Sequence, residues 1–125
     1  MRLPVPVPDL PLQLVHEDDV GSALHACVVA AGPPGAYNIA GEGVLSLVDV
    51  ARELGLAPVR IPAAATYPTA RALAAVPLLP SFAQWVEAAS HPAIMDTTKA
   101  KEQLGWRPRY TGLEALRDTL APRAT

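Results

Sequence analysis

A histidine and two aspartates lie close together near the start of the chain, as His16, Asp18 and Asp19. Imidazole and carboxylate groups exchange protons and ligate divalent metals, so this cluster is typical of an acid–base or metal site. The alternative is structural, with an aspartate capping a helix and His16 packing or hydrogen bonding beneath it. The next histidine, His25, falls on the predicted helix itself, which favours the structural alternative.

A tyrosine and an arginine stand four residues apart, at Tyr67 and Arg71. A cation beside a phenol lowers the pKa of the phenol, which is how a tyrosine becomes a general base. Pro68 lies between the two residues and disrupts the helical geometry that such a pair requires. The segment therefore favours a pair that lies on the surface or lines a pocket.

Two tryptophans, Trp85 and Trp106, offer flat faces on which a ligand could stack. Trp106 follows a glycine that is predicted to end a helix, which indicates a structural role. Trp85 lies in a predicted apolar helix and is kept as a possible ligand contact. Arg60, on a short predicted strand, is interpreted as solvated or paired. The candidate substrate-binding residues are Trp85, Tyr67, Arg71 and His16, and no catalytic, cofactor-binding or metal-binding residue is predicted.

Several other chemistries lack the residues that they need. No serine lies in a Gly-x-Ser-x-Gly sequence, so the sequence gives no support for a hydrolase. Cys27 is the single cysteine, which excludes an internal disulfide and a metal site built on thiolates. Because Cys27 falls among apolar residues at helical spacing, we predict a buried thiol.

The first helix is predicted from one cap and one apolar stripe. Asp18 or Asp19 is expected to cap it, and a Gly-Pro-Pro-Gly turn at residues 32–35 is expected to end it. Apolar residues recur between these points at intervals of three and four, which predicts one buried face. The predicted buried stripe is formed by Val20, Leu24, Cys27, Val28 and Ala31.

Two later helices carry the spacing of capping boxes, at Ser46 with Asp49 and at Thr111 with Glu114. Gly55 is predicted to end the first of them in left-handed backbone. A short helix between them is predicted to begin at Asp96 or Thr97 and to end at Gly105. Their predicted buried residues are Val50, Leu54, Leu113, Leu116 and Leu120.

Short apolar runs predict strands at residues 12–15, 36–40, 59–61 and 92–95. Further helices are predicted from about Tyr67 and over residues 82–89. Short strands that alternate with helices indicate an α/β fold.

The bulk composition is that of a globular protein with no strong charge. Half of the 125 residues are hydrophobic, 18% are charged, and the formal net charge is −2. A balanced charge gives no reason to expect binding to nucleic acid or to an anionic membrane. We expect no secretory signal, no transmembrane helix and a cytoplasmic location.

Five segments, in order, resemble the C-terminal part of the extended short-chain dehydrogenase/reductases, the NAD-dependent epimerase/dehydratase family. They are Val-His-Glu-Asp-Asp-Val at 15–20, Ala-Tyr-Asn-Ile-Ala-Gly at 36–41, the capped helix at 46–54, the tail Asp-Thr-Thr-Lys-Ala through Leu-Gly-Trp-Arg-Pro at 96–108, and the final helix from Thr111. No single segment is specific. Their order and spacing together are similar to the family over most of the chain.

The resemblance implies an α/β fold of short strands with several helices, like the C-terminal subdomain of that family. The resemblance does not cover the start of the chain, where proline alternates with apolar residues and indicates an extended arm at residues 1–11. Residues 12–125 are expected to form a single domain. The family binds its cofactor on an N-terminal glycine-rich turn and uses a tyrosine four residues before a lysine as its base. The glycine-rich turn is not found here, because Gly32 and Gly35 are followed by Asn38, where a third glycine would stand, and by a predicted strand instead of a helix. The tyrosine–lysine pair is not found either, because Tyr67 is followed by Arg71.

The expected function is therefore a truncated or split epimerase/dehydratase-like protein that contributes parts of a substrate pocket and has no redox activity of its own. We expect no cofactor on this chain alone, and NAD or NADP on a complete family member. The stretch from residue 63 to 92 has Arg71 as its only basic residue apart from His91, which favours an apolar substrate over a sugar nucleotide.

Partners are expected to cover the surfaces that a missing half would leave open. We predict self-association, with the proline-rich arm exchanged between chains, or association with the missing N-terminal half. The alternative function is an interaction module without cofactor, which binds a protein partner or a small apolar ligand.

Overall fold

The computed structural model describes residues 1–62, 64–65, 68 and 91–122. Within these ranges the chain is mixed α/β, with short strands and several helices. The predicted helices from Tyr67 and over residues 82–89 lie outside the described residues. The elements are β1 (Pro4–Pro8), β2 (Pro11–Leu12), α1 (Glu17–Val28), β3 (Leu45–Ser46), α2 (Leu47–Glu53), β4 (Ala57–Ile61), α3 (Thr98–Gln103) and α4 (Gly112–Leu120).

The chain divides into two compact units, and the division does not follow the predicted arm and single domain. The first unit contains Met1–Leu12 and the described residues between Ser46 and Ala93. The second unit contains Gln13–Leu45 and the described residues from Ile94 onward. The segment around α2 and β4 thus clusters with the proline-rich arm.

In the first unit, β1 and β4 run parallel, with Pro4 opposite Ala57 and Pro8 opposite Ile61. Part of the predicted proline-rich arm is therefore a strand that pairs within its own chain. The unit buries a small apolar cluster whose members come from β1 and α2. These buried residues are Val7, Val48 and Ala51.

The prolines of β1 face away from β4. The carbonyl of Leu3 accepts a hydrogen bond from the first residue of β4 at 2.9 Å, and the N–H of Asp9 donates to the last residue of β4 at 3.5 Å. Because the main-chain N–H and C=O groups of successive strand residues point to opposite edges of the strand, those of Val5 and Val7 also face β4. Pro4, Pro6 and Pro8 alternate with these residues, so their main-chain groups point to the outer edge of β1. The N–H groups that the prolines lack therefore remove no hydrogen bond from the pairing with β4.

The start of α2 confirms the predicted capping box. Ser46 Oγ accepts from the Asp49 N–H at 3.2 Å, and the Asp49 carboxylate accepts from the Ser46 N–H at 3.0 Å. The predicted buried face is displaced, because Val48 and Ala51 are buried whereas Leu54 is 53% exposed. The helix has seven residues and ends at Glu53, so Leu54 is its C-cap residue. Gly55 has a φ of 79°, as predicted for the end of the helix.

In the second unit, α1 packs against α3 and the segment that follows α3. Ala23, Ala100, Leu104 and Trp106 form the buried cluster. Ala23 on α1 and Ala100 on α3 contribute small side chains to this cluster, and the indole of Trp106 packs beside them. The predicted structural role of Trp106 is confirmed by its 4% exposure.

The predicted boundaries of α1 are wrong at both ends. His16, and not an aspartate, is the N-cap residue, because its ring nitrogen Nδ1 accepts from the Asp18 N–H at 3.1 Å. The helix ends at Val28, and Ala30 turns into left-handed backbone with a φ of 53°. The chain has thus left the helix before it reaches Gly32.

The predicted buried stripe of α1 is also wrong. Leu24 is 62% exposed, Val28 is 83% exposed, and the thiol of Cys27 is exposed instead of buried. The buried face carries Asp19 and Ala23. A buried aspartate breaks the apolar pattern on which the prediction rested, and its hydrogen bonds, described below, fix which side of the helix faces inward.

The predicted strands at residues 36–40 and 92–95 are irregular in the structure. Side chains hold these segments instead of a strand ladder. Asn38 Nδ2 donates to the carbonyl of Asp96 at 3.1 Å. Gln13 Oε1 accepts from the N–H of Met95 at 2.6 Å, and Gln13 Nε2 donates to the carbonyl of the same residue at 3.3 Å. A strand requires a neighbouring strand, and neither segment has one among the described residues.

The last helix begins as predicted and buries a different face. Thr111 Oγ1 accepts from the Glu114 N–H at 3.2 Å, and the Glu114 carboxylate accepts from the Thr111 N–H at 2.7 Å, which completes the capping box. The residues buried on α4 are Gly112 and Ala115. Of the predicted stripe, Leu113 and Leu116 are half-buried and Leu120 is exposed.

Candidate functional site

His16 is the one predicted substrate-binding residue that the structure describes. Trp85, Tyr67 and Arg71 lie outside the described residues. The site is therefore built outward from His16, which stands at the start of α1, and from Asp19, one turn further along the same helix.

The imidazole of His16 is held on three sides. Its Nε2 lies 3.1 Å from a carboxylate oxygen of Asp118 on α4, and its Nδ1 accepts from the Asp18 N–H. Its ring stacks on that of Tyr110 with centroids 3.9 Å apart and an angle of 17° between the planes. The residue is 7% exposed.

These contacts define the protonation of the ring. Because Nδ1 accepts a hydrogen bond from a main-chain N–H, it carries no proton, so Nε2 carries the proton and donates it to Asp118. Both ring nitrogens of His16 are thus engaged within the protein. The geometry favours the structural alternative, in which His16 caps α1 and ties it to α4.

A cleft of about 270 Å³ lies beside this histidine. Its walls are mostly apolar, and Asp118 and Thr119 supply polar groups. The cleft lies between the segment that leads into α1 and the exposed half of α4. Its lining residues are Leu14, Val15, His16, Glu17, Ala115, Leu116, Asp118 and Thr119.

Asp19 is fully buried and joins two distant segments. Its two carboxylate oxygens accept from the N–H groups of Arg109 and Tyr110, at 2.9 and 3.1 Å. A buried carboxylate is stable only where such donors replace water, and two main-chain N–H groups do so here. The side chain of Asp19 therefore fixes the turn that precedes α4.

The indole of Trp106 completes the same junction. Its Nε1 lies 3.1 Å from the main-chain carbonyl of Asp19 and 3.0 Å from Ser22 Oγ. Buried tryptophans usually find an acceptor for this N–H, and here the acceptors lie on α1. We call Asp19, Ser22, Trp106, Arg109 and Tyr110 the Asp19 junction.

The exposed stripe of α1 borders a shallow apolar groove. This α1 groove has a volume of about 170 Å³, and each residue that lines it is uncharged. Tyr37 and Ile39 form one wall and pack on the buried cluster of the unit. The groove is lined by Val20, Ala23, Leu24, Cys27, Gly35, Tyr37 and Ile39.

The glycines at 32 and 35 serve the fold of this unit. A Cβ on Gly32 would overlap the carbonyl oxygen of Gln103, so the glycine permits main chain to pass against the end of α3. The segment after Gly35 is irregular, whereas a dinucleotide turn leads into a helix.

The helix N-termini among the described residues do not suit a pyrophosphate either. A free N-terminus attracts phosphate because its N–H groups and its dipole are unopposed. The first turns of α1, α2 and α4 carry side-chain caps and carboxylates, from Glu17 to Asp19, Asp49 and Glu114 respectively. The first turn of α3 has no acidic residue, but the carboxylate of Asp96 just before it accepts from the Thr98 N–H at 2.8 Å. The residues described thus do not fit the cofactor that the resemblance implies.

Three carboxylates at helix starts have lowered pKa values. Hydrogen bonds from Ser46 hold the pKa of Asp49 below its ordinary value of 3.8. Hydrogen bonds from Thr98 do the same for the pKa of Asp96, and hydrogen bonds from Thr111 hold the pKa of Glu114 below 4.5. Each shift reports a cap and not a proton-transfer site.

The described part of the chain contains neither a cluster of metal-binding side chains nor a membrane-spanning helix. No group of three or more histidine, cysteine, aspartate or glutamate side chains there is placed to hold a metal ion. Within the same ranges no helix has the length and apolar character required to cross a membrane.

Comparison with known proteins places the chain beside longer relatives. No protein-family model matches it. It is 32% identical over 110 residues to an uncharacterized protein of Mycobacterium tuberculosis and, equally, to an uncharacterized protein of Mycobacterium bovis. The match covers 88% of this chain and 29% of each relative, so the chain spans less than a third of the length of these relatives.

Sequence reasoning missed two residues of the site. Asp118 lies 102 residues from His16, and no local pattern announces that they meet. Asp19 is interpreted from the sequence as a member of an acid–base or metal cluster or as a helix cap, and its burial is not predicted. The signal that could have identified the burial of Asp19 is the pair of adjacent aspartates. One aspartate, Asp18, is enough to accept from the free N–H groups at the start of a helix, so the second aspartate calls for another role.

Proposed function

We propose that this chain is the substrate-side, C-terminal part of an NAD(P)-dependent epimerase/dehydratase-like protein, with no redox activity of its own. The cofactor would be held by a separate dinucleotide-binding half. The chain would contribute walls of the substrate pocket.

The observation that carries the proposal is the Asp19 junction. The first of the five resembling segments supplies Asp19, and the fourth supplies Trp106 and leads into Arg109 and Tyr110. Segments that resemble one family thus meet through buried hydrogen bonds, as parts of one inherited unit would. The contact supports the view that the first and fourth segments belong together and did not arise by chance.

The length of the relatives supports the same proposal. More than two thirds of each mycobacterial relative lies outside the matched residues, which is ample length for a cofactor-binding half. The segment after Gly35 is irregular, and carboxylates occupy the described helix N-termini. Both observations support the proposal that the unmatched part of the longer protein binds the phosphates of the cofactor.

For the substrate pocket, we propose contacts from Trp85, Tyr67 and Arg71. The stretch that carries them is apolar except for Arg71 and a few polar groups, which favours a substrate with a large apolar part. The role proposed for His16 is to fix α1 against α4 within the second unit. NAD or NADP, when bound by the complete protein, would supply hydride transfer.

A cofactor titration tests the proposal. Calorimetric titration of NAD and NADP should show no tight binding to this chain, whereas the full-length relative from Mycobacterium tuberculosis should bind one of them. Tight binding by this chain alone would contradict the proposal, as would a full-length relative that binds neither.

The relatives also permit a test by sequence. The residues that precede the matched segment should contain a Gly-x-x-Gly-x-x-Gly turn after a strand and, further on, a Tyr-x-x-x-Lys pair. Relatives with neither feature would favour the second candidate.

That second candidate is an interaction module that binds a protein partner or a small apolar ligand without a cofactor. The α1 groove favours it, because apolar side chains are exposed along two turns of one helix. A natural product of this length that folds, stays monomeric and binds an apolar compound in the groove would select this candidate over the first.

A further inference from the structure

We infer that the α1 groove is an interface with an apolar surface of the parent protein, supplied by residues outside this chain. The inference rests on the proposed function, since it names the partner of this unit. It makes the groove an internal contact of a longer polypeptide and not a ligand site.

The first argument is the exposure of the groove. Leu24 lines the groove and Val28 lies one turn beyond it on α1, and more than half of each residue is open to solvent. Cys27 between them is exposed as well. Contiguous apolar residues at helical spacing are the usual signature of a face that packs on another element.

The second argument is that α1 cannot turn to bury this stripe. The Asp19 carboxylate is bonded to the N–H groups of Arg109 and Tyr110, and Ala23 packs on Trp106. These contacts fix the rotation of the helix about its axis. A rotation that buried Leu24 would expose or strand the Asp19 carboxylate, so the exposure is a property of the fold.

The third argument identifies the occupant. The groove has no charged residue in its lining, so it suits an apolar element and not an acidic or basic segment. The match covers 29% of the length of each relative, and we place such an element in the remainder. We therefore commit to a part of the same longer protein and not to a second copy of this chain.

The first experiment uses this chain. Leu24→Asp and Val28→Asp should leave its helical circular dichroism and thermal midpoint unchanged, because both side chains are exposed in it. Val59→Asp is the matched control, since Val59 is also apolar and 56% exposed, on β4 of the other unit. A large loss of stability from Leu24→Asp alone would show that the groove is already covered within this chain, and would overturn the inference.

The second experiment uses the full-length Mycobacterium tuberculosis relative. Aspartate at the positions that align with Leu24 and Val28 should lower its thermal midpoint by about 5 °C or more, whereas aspartate at the position aligned with Val59 should shift it by less than about 2 °C. Equal shifts at all three positions would overturn the inference.

The rate at which the Cys27 thiol reacts provides a second test that does not depend on the folding of an aspartate variant. Cys27 in this chain should react with a maleimide at the rate of an exposed thiol. A cysteine placed at the aligned position of the relative, as its only cysteine, should react at least about tenfold more slowly, because local opening must precede reaction. Equal rates would show that the groove stays open in the longer protein and would overturn the inference.

Two further outcomes separate this inference from its rivals. If this chain is a dimer in solution and Val28→Asp makes it a monomer, the occupant is a second copy and the inference is wrong. If the relative protects the groove but binds neither NAD nor NADP, the interface stands and the proposed function fails.

Discussion

The indole nitrogen of Trp106 lies 3.1 Å from the main-chain oxygen of Asp19, and this contact joins residues 87 positions apart in the sequence. The Asp19 side chain extends the same connection to the two residues before Thr111. The first turn of α1, which carries Asp19, thus fixes the position of the segment from Trp106 to Tyr110. Several predictions about stability depend on this relationship.

Asp19→Asn should be strongly destabilising. The amide keeps one acceptor and presents an NH2 group to a main-chain donor, so one buried N–H loses its partner at a cost of about 2–3 kcal/mol in the free energy of unfolding. Urea denaturation of the chain would measure the change. Asp18→Asn is the control, since that side chain is 56% exposed and should change stability by no more than about 0.5 kcal/mol. Equal effects at both positions would refute the role assigned to the Asp19 junction.

Trp106→Phe separates the hydrogen bonds of the indole from its packing. Phenylalanine fills most of the space but cannot donate to the Asp19 carbonyl or to Ser22, so we expect a loss of about 1–2 kcal/mol in the free energy of unfolding. Ser22→Ala removes one of the two acceptors and should cost less than Trp106→Phe. Thermal denaturation followed by circular dichroism gives the order, and the reverse order would contradict it.

His16 substitutions should separate its cap from its contact with α4. His16→Asn preserves an acceptor for the Asp18 N–H, whereas His16→Ala removes it and should be the more destabilising by about 1 kcal/mol. Asp118→Asn disturbs only the contact at Nε2, and because the Asp118 side chain is 61% exposed it should cost less than either. Urea midpoints for the three variants would test the ranking, which fails if His16→Asn equals His16→Ala.

Gly32 and Gly21 form a matched pair for one methyl group. Gly32→Ala forces a Cβ into the Gln103 carbonyl and should destabilise the chain by about 1–3 kcal/mol. Gly21 lies inside α1 with open space around its missing Cβ, so Gly21→Ala should stabilise by about 0.5–1 kcal/mol. Opposite shifts of the thermal midpoint are expected, and shifts of the same sign would be inconsistent with the close approach at residue 32.

The α4 capping box should make stability depend on acidic pH. Since the pKa of Glu114 in the folded chain lies below 4.5, its ionised form favours folding above that value, and the benefit is lost as the pH falls through the lowered pKa. Glu114→Gln should therefore be less stable than the wild type at about pH 6 and indistinguishable from it near about pH 2. Urea midpoints across this range provide the measurement. A constant difference at every pH would mean that the carboxylate charge is not involved.

The features that sequence reasoning predicted correctly are local. The capping boxes at Ser46 and Thr111, the left-handed turn at Gly55 and the end of α3 before Gly105 depend on side chains and backbone within a few residues of one another. Strand β4 was also found from a short run of branched residues. In these cases the residues that cause the structure lie within a few positions of one another, so a local sequence pattern contains all of them.

The failures share one physical reason, which is that the deciding partner is remote in sequence. The face of α1 that turns inward is chosen by donors near residue 110, and an apolar pattern cannot report a buried carboxylate. His16 became the cap because Tyr110 and Asp118 hold its ring in place. The irregular segments at residues 36–40 and 92–95 have the composition of strands, but composition does not supply a neighbouring strand.

The alternation of proline in β1 has a consequence for how copies of this protein meet. Along its outer edge, Pro4, Pro6 and Pro8 present carbonyl oxygens and not a single N–H. A strand from another molecule that docked there would have to leave half of its own acceptors without donors. Fibril growth and edge-to-edge stacking are therefore blocked at this edge by the main chain itself, whatever the side chains do.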